Sequence, residues 1–96
     1  MRPSQALERH RADIRRIVEA NRARNPRVFG SVLHGDDDED SDLDILIDAL
    51  DGASLFDIVR IKSALEDLMN VRVDVRTPEE LHERFRDHVV SEAEAV

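Results

Sequence analysis

The feature that most constrains this chain is a dense acidic segment that runs directly into an apolar strand. Residues 36–51 carry nine acidic side chains and no basic one, and the stretch 43–50 within them has the apolar pattern of a strand. Asp42 and Asp44 stand two apart at its head. The two-residue period of a strand therefore puts both carboxylates on one face, with Cα atoms about 6.5–7 Å apart. The apolar residues of opposite parity point to the other face, where a core can receive them: Leu43, Ile45 and Ile47.

Two carboxylates held side by side repel each other, and this arrangement is typical of a site where a hard cation neutralises them. Mg²⁺ takes one or two carboxylates together with phosphate oxygens. Asp74 supplies a third carboxylate if residues 71–76 form the neighbouring strand, because it lies on the polar face of that strand. Three carboxylates can hold two metal ions about 3.5–4 Å apart, the geometry of in-line nucleotidyl transfer. Asp74 is also a candidate general base for an attacking hydroxyl group.

Plainer interpretations of these carboxylates stay open. Asp74 could be a surface carboxylate paired with Arg72 or Arg76, its neighbours on the polar face. The acidic residues 36–40 are predicted to form a solvated loop rather than to act as ligands. A calcium-binding EF-hand loop is excluded, because the position that requires glycine holds serine or isoleucine in either register.

The pair Gly30-Ser31, which ends a predicted strand over residues 27–31, is a candidate phosphate contact. Glycine lets a phosphate approach the backbone closely, and successive backbone amides make an anion nest. The Ser31 hydroxyl can add a hydrogen bond to a terminal phosphate oxygen. His34 lies in the loop beside this site and is a candidate substrate contact, whereas the other three histidines are expected on helix surfaces.

Hydrophobic periodicity predicts an α/β (α+β) chain with the element order αββαβα. The predicted elements are a helix over residues 4–24, strands over 27–31, 43–50 and 71–76, a helix between Ser54 and Asn70, and a helix that begins at residues 77–80. The second and third strands are joined by a helix, so we expect them to pair in parallel. The short loop between the first two strands permits an antiparallel pair. The sequence therefore predicts a small mixed sheet packed with helices.

Side-chain patterns predict the caps and buried faces of the later helices. Ser54 is expected to cap the second helix, with Asp57 completing a capping box. The apolar residues of that helix are expected in the core: Leu55, Ile58, Ile61, Leu65 and Leu68. The last helix, begun by a cap, a proline and a glutamate, is expected to bury one apolar face: Leu81, Phe85 and Val89. The tail from Ser91 is either helix or a short last strand.

Composition excludes several classes of protein. A chain of 96 residues has the size of one domain, so a single domain over residues 1–96 is expected. The absence of cysteine excludes a disulfide scaffold, a thiol nucleophile and a zinc ribbon. No stretch is apolar enough for a membrane span or a signal peptide, so we expect a soluble cytoplasmic protein. The net charge of −8 makes nucleic-acid binding unfavourable, and the one lysine, Lys62, lies outside any Walker A motif.

Gly30-Ser31, Asp42-x-Asp44 and Asp74 resemble, in order and spacing, the hallmark residues of the DNA polymerase β-type nucleotidyltransferase superfamily. The chain looks most like the minimal nucleotidyltransferases, which are small and lack added substrate domains. The resemblance covers nearly the whole sequence, from the first helix to the last. It implies the polymerase β-like nucleotidyltransferase fold.

The resemblance also implies an activity. Minimal nucleotidyltransferases are typically antitoxin partners of HEPN-domain ribonuclease toxins, and they use ATP and Mg²⁺ to transfer AMP to a tyrosine of the toxin. By this resemblance, Gly30 and Ser31 would bind the triphosphate. Asp42 and Asp44 would bind both metal ions, and Asp74 would bind the catalytic ion and activate the acceptor hydroxyl. The expected protein is an adenylyltransferase of a type VII-like toxin–antitoxin system.

Two alternatives remain beside this reading. The first is a binding antitoxin with weak or no catalysis, since the acidic loop and an arginine-rich first helix suit a charged interface. The second is a nucleotidyltransferase for a small-molecule acceptor, although a short chain offers little material for the concave pocket that such an acceptor needs. Modification of the chain by itself on tyrosine is impossible, because it contains no tyrosine.

Overall fold

A computed structural model describes residues 1–96, and a four-stranded mixed sheet forms the centre of the chain. The helices are α1 (Pro3–Arg9), α2 (Arg11–Ala20), α3 (Gly30–His34), α4 (Leu55–Met69) and α5 (Glu83–Glu92). The strands are β1 (Ala23–Phe29), β2 (Leu43–Ala49), β3 (Val73–Arg76) and β4 (Glu94–Ala95). No helix is long and apolar enough to cross a membrane.

The strand pairing is that of the expected mixed sheet. The strand order is β3-β2-β1-β4, and β1 pairs antiparallel with both β2 and β4. β2 and β3 pair in parallel, with α4 as the crossover that returns the chain to the same end of the sheet. The prediction of a small mixed sheet with parallel second and third strands is confirmed.

The core lies between one face of the sheet and helices α2 and α4. It is a cluster of sixteen buried residues. Alternate residues of β2 and β3 enter it: Leu43, Ile45, Ile47, Val73 and Val75. Burying an aliphatic side chain of this size contributes about 1.5–3 kcal/mol, so these contacts fix which face of each strand points inward.

The single helix predicted over residues 4–24 is wrong, because the segment forms two helices. α1 ends at Arg9, His10 takes non-helical dihedral angles (φ −124°, ψ 21°), and α2 begins at Arg11. The backbone N–H of His10 still donates to carbonyls of α1, so the break leaves few hydrogen bonds unmade. Both helices bury apolar side chains, and the bend at His10 lets each do so. Apolar spacing continues through the bend and gives no sign of it.

Strand β1 begins earlier than the predicted strand over residues 27–31. It includes Asn25 and Pro26. The register against β2 shifts between Arg24 and Arg27, and Asn25 has a positive φ of 55°. A bulge of this kind places proline, which has no N–H to donate, where the ladder is interrupted.

Helix α4 begins and ends as its sequence signals predict. The Ser54 N–H donates to Asp57 Oδ2 at 2.9 Å, and Asn70 stops the helix in the left-handed region with φ 54°. The expected burial of Leu55 and Leu68 is wrong, because they are 70% and 38% exposed. Both lie outside the buried face of α4, which begins at Asp57 and includes every fourth residue after it. Its apolar members are Ile61, Leu65 and Met69.

The predicted last helix divides into a 3-10 turn at Pro78–Glu80 and the separate helix α5. The Thr77 N–H donates to Glu80 Oε1 at 3.0 Å, which is the expected cap. The expected burial of Phe85 is wrong: it is 57% exposed, and α5 buries no residue. Arg86 holds α5 instead, because its guanidinium donates to three backbone carbonyls of the preceding turn. Of the two alternatives for the tail, the chain forms the short strand β4 after α5.

Two side chains of α4 form hydrogen bonds with outward-pointing backbone groups of β3. The Leu43 N–H donates to the Arg72 carbonyl at 2.8 Å, so the backbone groups of Val73 point away from β2. Lys62 Nζ donates to the Val73 carbonyl at 2.7 Å, and the Val73 N–H donates to Glu66 Oε2 at 3.0 Å. The Val73 hydrogen bond holds the pKa of Glu66 below its ordinary value.

Candidate active site

The second face of β2 and β3 carries most of the polar residues that alternate with the core residues, and it also carries the buried Leu46. In the parallel register Asp44 lies opposite Asp74, so the neighbouring strands assumed in the sequence analysis are present. Arg72 and Arg76 lie two residues before and after Asp74 and share its face. Asp42 directly precedes β2 and contacts Arg72. The structure thus brings the three predicted carboxylates to one end of one sheet face, together with two arginines.

Asp44 is the carboxylate with the most perturbed environment. Burial raises its pKa to about 6, and the charges of Asp74 and Asp42 act in the same direction. The charge of Arg76 opposes them only in part. A carboxylate in this setting is destabilised as an anion, which is typical of a functional site or of a site that awaits a cation.

The other two carboxylates are paired with the flanking arginines. Arg72 Nε lies 2.9 Å from Asp42 Oδ1, and Arg76 Nε lies 2.9 Å from Asp74 Oδ2. The pairing of Asp74 with a neighbouring arginine, one of the interpretations left open above, is therefore present. With the arginines in these positions, no three acidic or histidine side chains converge closely enough to hold a metal ion.

The donor set nevertheless fits a hard divalent cation. Asp44 has no arginine or lysine paired with it, and its anionic form is destabilised by two neighbouring carboxylates. Carboxylate oxygens are the ligands that Mg²⁺ prefers in proteins, with water and phosphate oxygens completing the shell. Asp42 and Asp74 can join Asp44 once their exposed side chains leave the arginines, because such pairs are weak.

Gly30 brings the backbone against Asp44. Its φ is +72°, a region that L-residues with a side chain rarely adopt, and a Cβ at this position would overlap Asp44 Oδ2 and lie 3.0 Å from its Cγ. Gly30 and Ser31 open α3 rather than ending a strand, since the chain turns into the helix directly after Phe29. Ser31 therefore lies within one residue of the backbone that contacts Asp44. The expectation that this pair ends a strand is wrong, while its placement beside the carboxylates agrees with the sequence analysis.

His34 is engaged with α5. Its Nε2 lies 2.7 Å from Glu92 Oε1, and the hydrogen bond to Glu92 raises the pKa of His34. Glu92 Oε2 also lies 3.3 Å from His88 Nε2. The sequence offered no signal for this contact, because His34 and Glu92 are 58 positions apart and neither stands in a motif with the other.

The acidic loop differs from the prediction at one residue. Asp37 is 7% exposed, and its Oδ2 accepts a hydrogen bond from the Ser4 N–H at 2.9 Å, at the start of α1. The prediction of a solvated loop over residues 36–40 is wrong for Asp37, because the orphan N–H groups of a helix start attract a carboxylate. The Asp40 carbonyl accepts from Arg72 Nη2 at 2.6 Å, which ties the loop to the polar face.

The surface has two concave regions, and one of them borders the Asp42 end of the site. One lies along α1, and the other lies between the acidic loop and the start of β3, next to Asn70 and Arg72. Neither is lined by Gly30, Asp44 or Asp74. Neither region therefore forms a pocket over Asp44 or Asp74.

Comparison with known proteins connects this geometry with an enzyme family. The family model described as "Nucleotidyltransferase domain" matches residues 8–96. A relative in Methanocaldococcus jannaschii, MJ0435, which is named as a protein adenylyltransferase, is 39% identical over 66 residues. That match covers 69% of this chain and 71% of the relative.

Solved structures show the same fold. A structure described as a minimal nucleotidyltransferase superposes with a TM-score of 0.83 at 39% sequence identity, covering 97% of this chain and 93% of that one. A toxin–antitoxin structure with AMP-PNP superposes with a TM-score of 0.73 at 20% identity, covering 88% of this chain and 69% of that one. The resemblance to the minimal nucleotidyltransferases is thereby confirmed. This chain belongs to the nucleotidyltransferase domain family.

Proposed function

We propose that this chain transfers AMP from ATP to a hydroxyl group of a partner protein and thereby acts as the antitoxin of a toxin–antitoxin pair. The proposed partner is a HEPN-type toxin, the proposed acceptor is a tyrosine, and the setting is a type VII-like system in the cytoplasm. The relative named as a protein adenylyltransferase supports the reaction. The fold shared with a toxin–antitoxin structure that contains AMP-PNP supports the setting.

The observation that carries the proposal is the environment of Asp44. This half-buried carboxylate lies opposite Asp74 and against the backbone of Gly30, and burial raises its pKa to about 6. A purely structural sheet face has no reason to hold such a group, because burying a carboxylate beside like charges costs free energy. The cost is understandable where a divalent cation and a nucleotide bind.

Each residue of the site has a proposed role. Gly30 and Ser31 bind the triphosphate through backbone amides and the Ser31 hydroxyl, and Asp42 and Asp44 hold two Mg²⁺ ions. When bound, Mg²⁺ supplies positive charge that stabilises the phosphates in the transition state. Asp74 holds the catalytic ion and accepts the proton of the acceptor hydroxyl. The hydroxyl oxygen forms a bond to the α-phosphorus of ATP, and the bond to pyrophosphate breaks.

His34 is proposed as a further nucleotide contact. It lies at the last position of α3, the helix that Gly30 and Ser31 open, and 49% of its side chain is exposed. The contact with Glu92 orients the imidazole while leaving part of it accessible. Its role is secondary to that of the carboxylates.

A protein acceptor suits the surface better than a small molecule. A small acceptor needs a concave, mostly apolar pocket, and the concave regions of this chain lie away from Asp44. A partner protein brings its own wall and presents its hydroxyl from outside. We therefore prefer a protein acceptor to a small-molecule acceptor.

One observation favours a second candidate, an antitoxin that acts by binding alone. Arg72 and Arg76 occupy two of the three carboxylates, so the site is not arranged for metal in this conformation. A chain that had lost catalysis could keep such pairs permanently. The two candidates make opposite predictions for the mass of the toxin.

The test is the intact mass of the product of the adjacent reading frame, the proposed toxin, after incubation with this chain, ATP and Mg²⁺. The wild type is compared with Asp42→Asn/Asp44→Asn. The matched control is Asp51→Asn/Asp67→Asn, which removes the same charge from exposed positions away from the site. We expect AMP-sized mass increments with the wild type and the control, and none with the site variant.

Each remaining outcome favours a different conclusion. An unmodified toxin that binds both double variants tightly would support the binding antitoxin. Undiminished AMP transfer by Asp42→Asn/Asp44→Asn would show that these carboxylates do not carry the reaction. Transfer to a small molecule in the absence of any partner protein would favour the small-acceptor enzyme.

A further inference from the structure

Arg72, directly before β3, and Asp74 and Arg76 within it form a charged row. Strand geometry puts them on one face, because each is two residues from the next. The neighbouring row on β2 and just before it consists of Asp42 and Asp44. Without the arginines this end of the sheet would hold three carboxylates, and with them it holds three negative and two positive charges.

The two arginines contact different carboxylates at the same distance, and the contact of Arg76 is also a hydrogen bond. In both pairs the guanidinium Nε lies 2.9 Å from a carboxylate oxygen: Arg72 with Asp42, and Arg76 with Asp74. Arg72 is also anchored by its Nη2 to the Asp40 carbonyl at 2.6 Å. Arg76 acts on Asp44 as well, since its charge favours the anionic form of that carboxyl group.

Both pairs are open to solvent and therefore exchangeable. The side chains of Arg72 and Asp42 are 71% and 49% exposed, and those of Arg76 and Asp74 are 45% and 39% exposed. Ion pairs this exposed contribute about 0–1 kcal/mol, so a stronger ligand can displace either partner. A guanidinium fork also matches the oxygens of a phosphate group, which gives each arginine a second partner when a nucleotide is present.

From these contacts we propose that Arg72 and Arg76 are positioning residues that make the site selective for a metal–nucleotide complex over the free metal ion. In the free protein they neutralise Asp42 and Asp74 and repel an incoming divalent cation. When a metal–nucleotide complex is bound, Arg72 and Arg76 would contact its phosphates, and Asp42 and Asp74 would then be free to hold the metal. This inference rests on the proposed function, since it assumes that the carboxylates bind metal and nucleotide.

The test measures binding rather than turnover. Free Mn²⁺ is followed by electron paramagnetic resonance, first with Mn²⁺ alone and then with Mn²⁺ and a non-hydrolysable ATP analogue. We expect Arg76→Gln to bind Mn²⁺ alone about 5- to 10-fold more tightly than the wild type, because one repelling unit charge near a divalent ion is removed. The same variant is expected to bind the Mn²⁺–nucleotide complex more weakly than the wild type, and Arg72→Gln is expected to show both effects to a smaller extent.

Two control variants separate this role from general effects of charge. Arg84→Gln removes an exposed arginine of α5 and is expected to leave both affinities near those of the wild type. Arg76→Lys keeps the charge and is expected to restore the weak binding of Mn²⁺ alone. Thermal unfolding of every variant is measured to check that the fold is unchanged.

The outcomes distinguish failure of this inference from failure of the proposed function. If Asp44→Asn abolishes Mn²⁺ binding while Arg76→Gln binds Mn²⁺ no more tightly than Arg84→Gln, the inference is overturned and the metal site stands. If Arg76→Gln binds both Mn²⁺ alone and the Mn²⁺–nucleotide complex more tightly than the wild type, the proposed selectivity is also overturned. If neither the wild type nor any variant binds Mn²⁺ or its nucleotide complex, the proposed function and the inference are overturned together.

Discussion

The two faces of β2 and β3 are built from alternate residues of the same strands, yet they differ in almost every physical respect. Leu43, Ile45 and Ile47 are fully buried in an apolar core, and their packing favours the folded state. Asp44, between them, faces like charges, and its environment disfavours the anion. The core face thus supplies stability, whereas Asp44 on the other face is held in place at a cost. Substitutions one residue apart should therefore have opposite effects on stability.

The largest effect is expected on the core face. Ile45→Ala removes most of a fully buried side chain and leaves a cavity, so we expect the free energy of unfolding to fall by about 3–4 kcal/mol. Chemical denaturation followed by circular dichroism measures this loss. Ile45→Val, which removes one methyl group, should lower the free energy of unfolding by about 1 kcal/mol and so provides a smaller truncation for comparison. A loss below that of Ile45→Val would show that the core side of the comparison is wrong.

A smaller loss is expected at Gly30, which joins β1 to α3 and lies against Asp44. Gly30→Ala combines a positive φ with overlap onto Asp44 Oδ2, so we expect a loss of about 2–3 kcal/mol and weaker nucleotide binding. Gly35→Ala is the matched control, because its φ is also positive at +74° but nothing lies within 4 Å of the added Cβ. It should lose about 1 kcal/mol and keep nucleotide binding. Equal losses of stability in the two variants would show that the contact between Gly30 and Asp44 does not affect stability.

The smallest effect has the opposite sign. The folded chain raises the pKa of Asp44 from 3.8 to about 6, so it holds the proton more tightly than the unfolded chain does. Stability therefore falls as the pH rises from about 4 to 6, and the cost is complete above the folded-state value. Asp44→Asn removes this cost, and because the side chain is partly solvated we expect a gain of about 1–2 kcal/mol at pH 7.5 in the absence of metal.

The pH dependence provides the control for Asp44→Asn. At pH 4 the folded wild type is protonated at Asp44 and the unfolded chain is partly protonated, so most of the gain should disappear. Thermal unfolding of the two proteins at both pH values, with a chelator present, measures the difference. A gain that does not change with pH would mean that packing, rather than charge, limits the stability of the wild type.

The alternating strands and the helix caps were predictable because each is a local signal. The parity of Asp42 and Asp44 against Ile45 assigned both faces of β2, and Ser54 with Asn70 gave both ends of α4. The features that were missed depend on contacts between residues far apart in sequence, or on the direction in which a helix points. The bend at His10, for example, changes where α1 points without changing the apolar spacing.

The candidate site shows the same division. Its residues could be named from sequence, because glycine, serine and aspartate occur at recognisable spacings along the chain. The choice of partner could not: Asp74 had two arginines within reach, and only side-chain positions assign Arg76 to it and Arg72 to Asp42. The contact between His34 and Glu92 and the burial of Asp37 required the fold, since the partner elements are far apart in sequence.

The contacts of Lys62 and Glu66 with Val73 have a consequence for assembly. β3 ends the sheet, and the end strand of a sheet is normally a template on which another chain can add a strand. Here the outward N–H and carbonyl of Val73 are already taken by α4, and two charged side chains stand over them. Chains that meet at this end cannot join their sheets there without first breaking those hydrogen bonds. At Val73 the edge next to the carboxylates is thereby protected from strand exchange and from growth into fibrils.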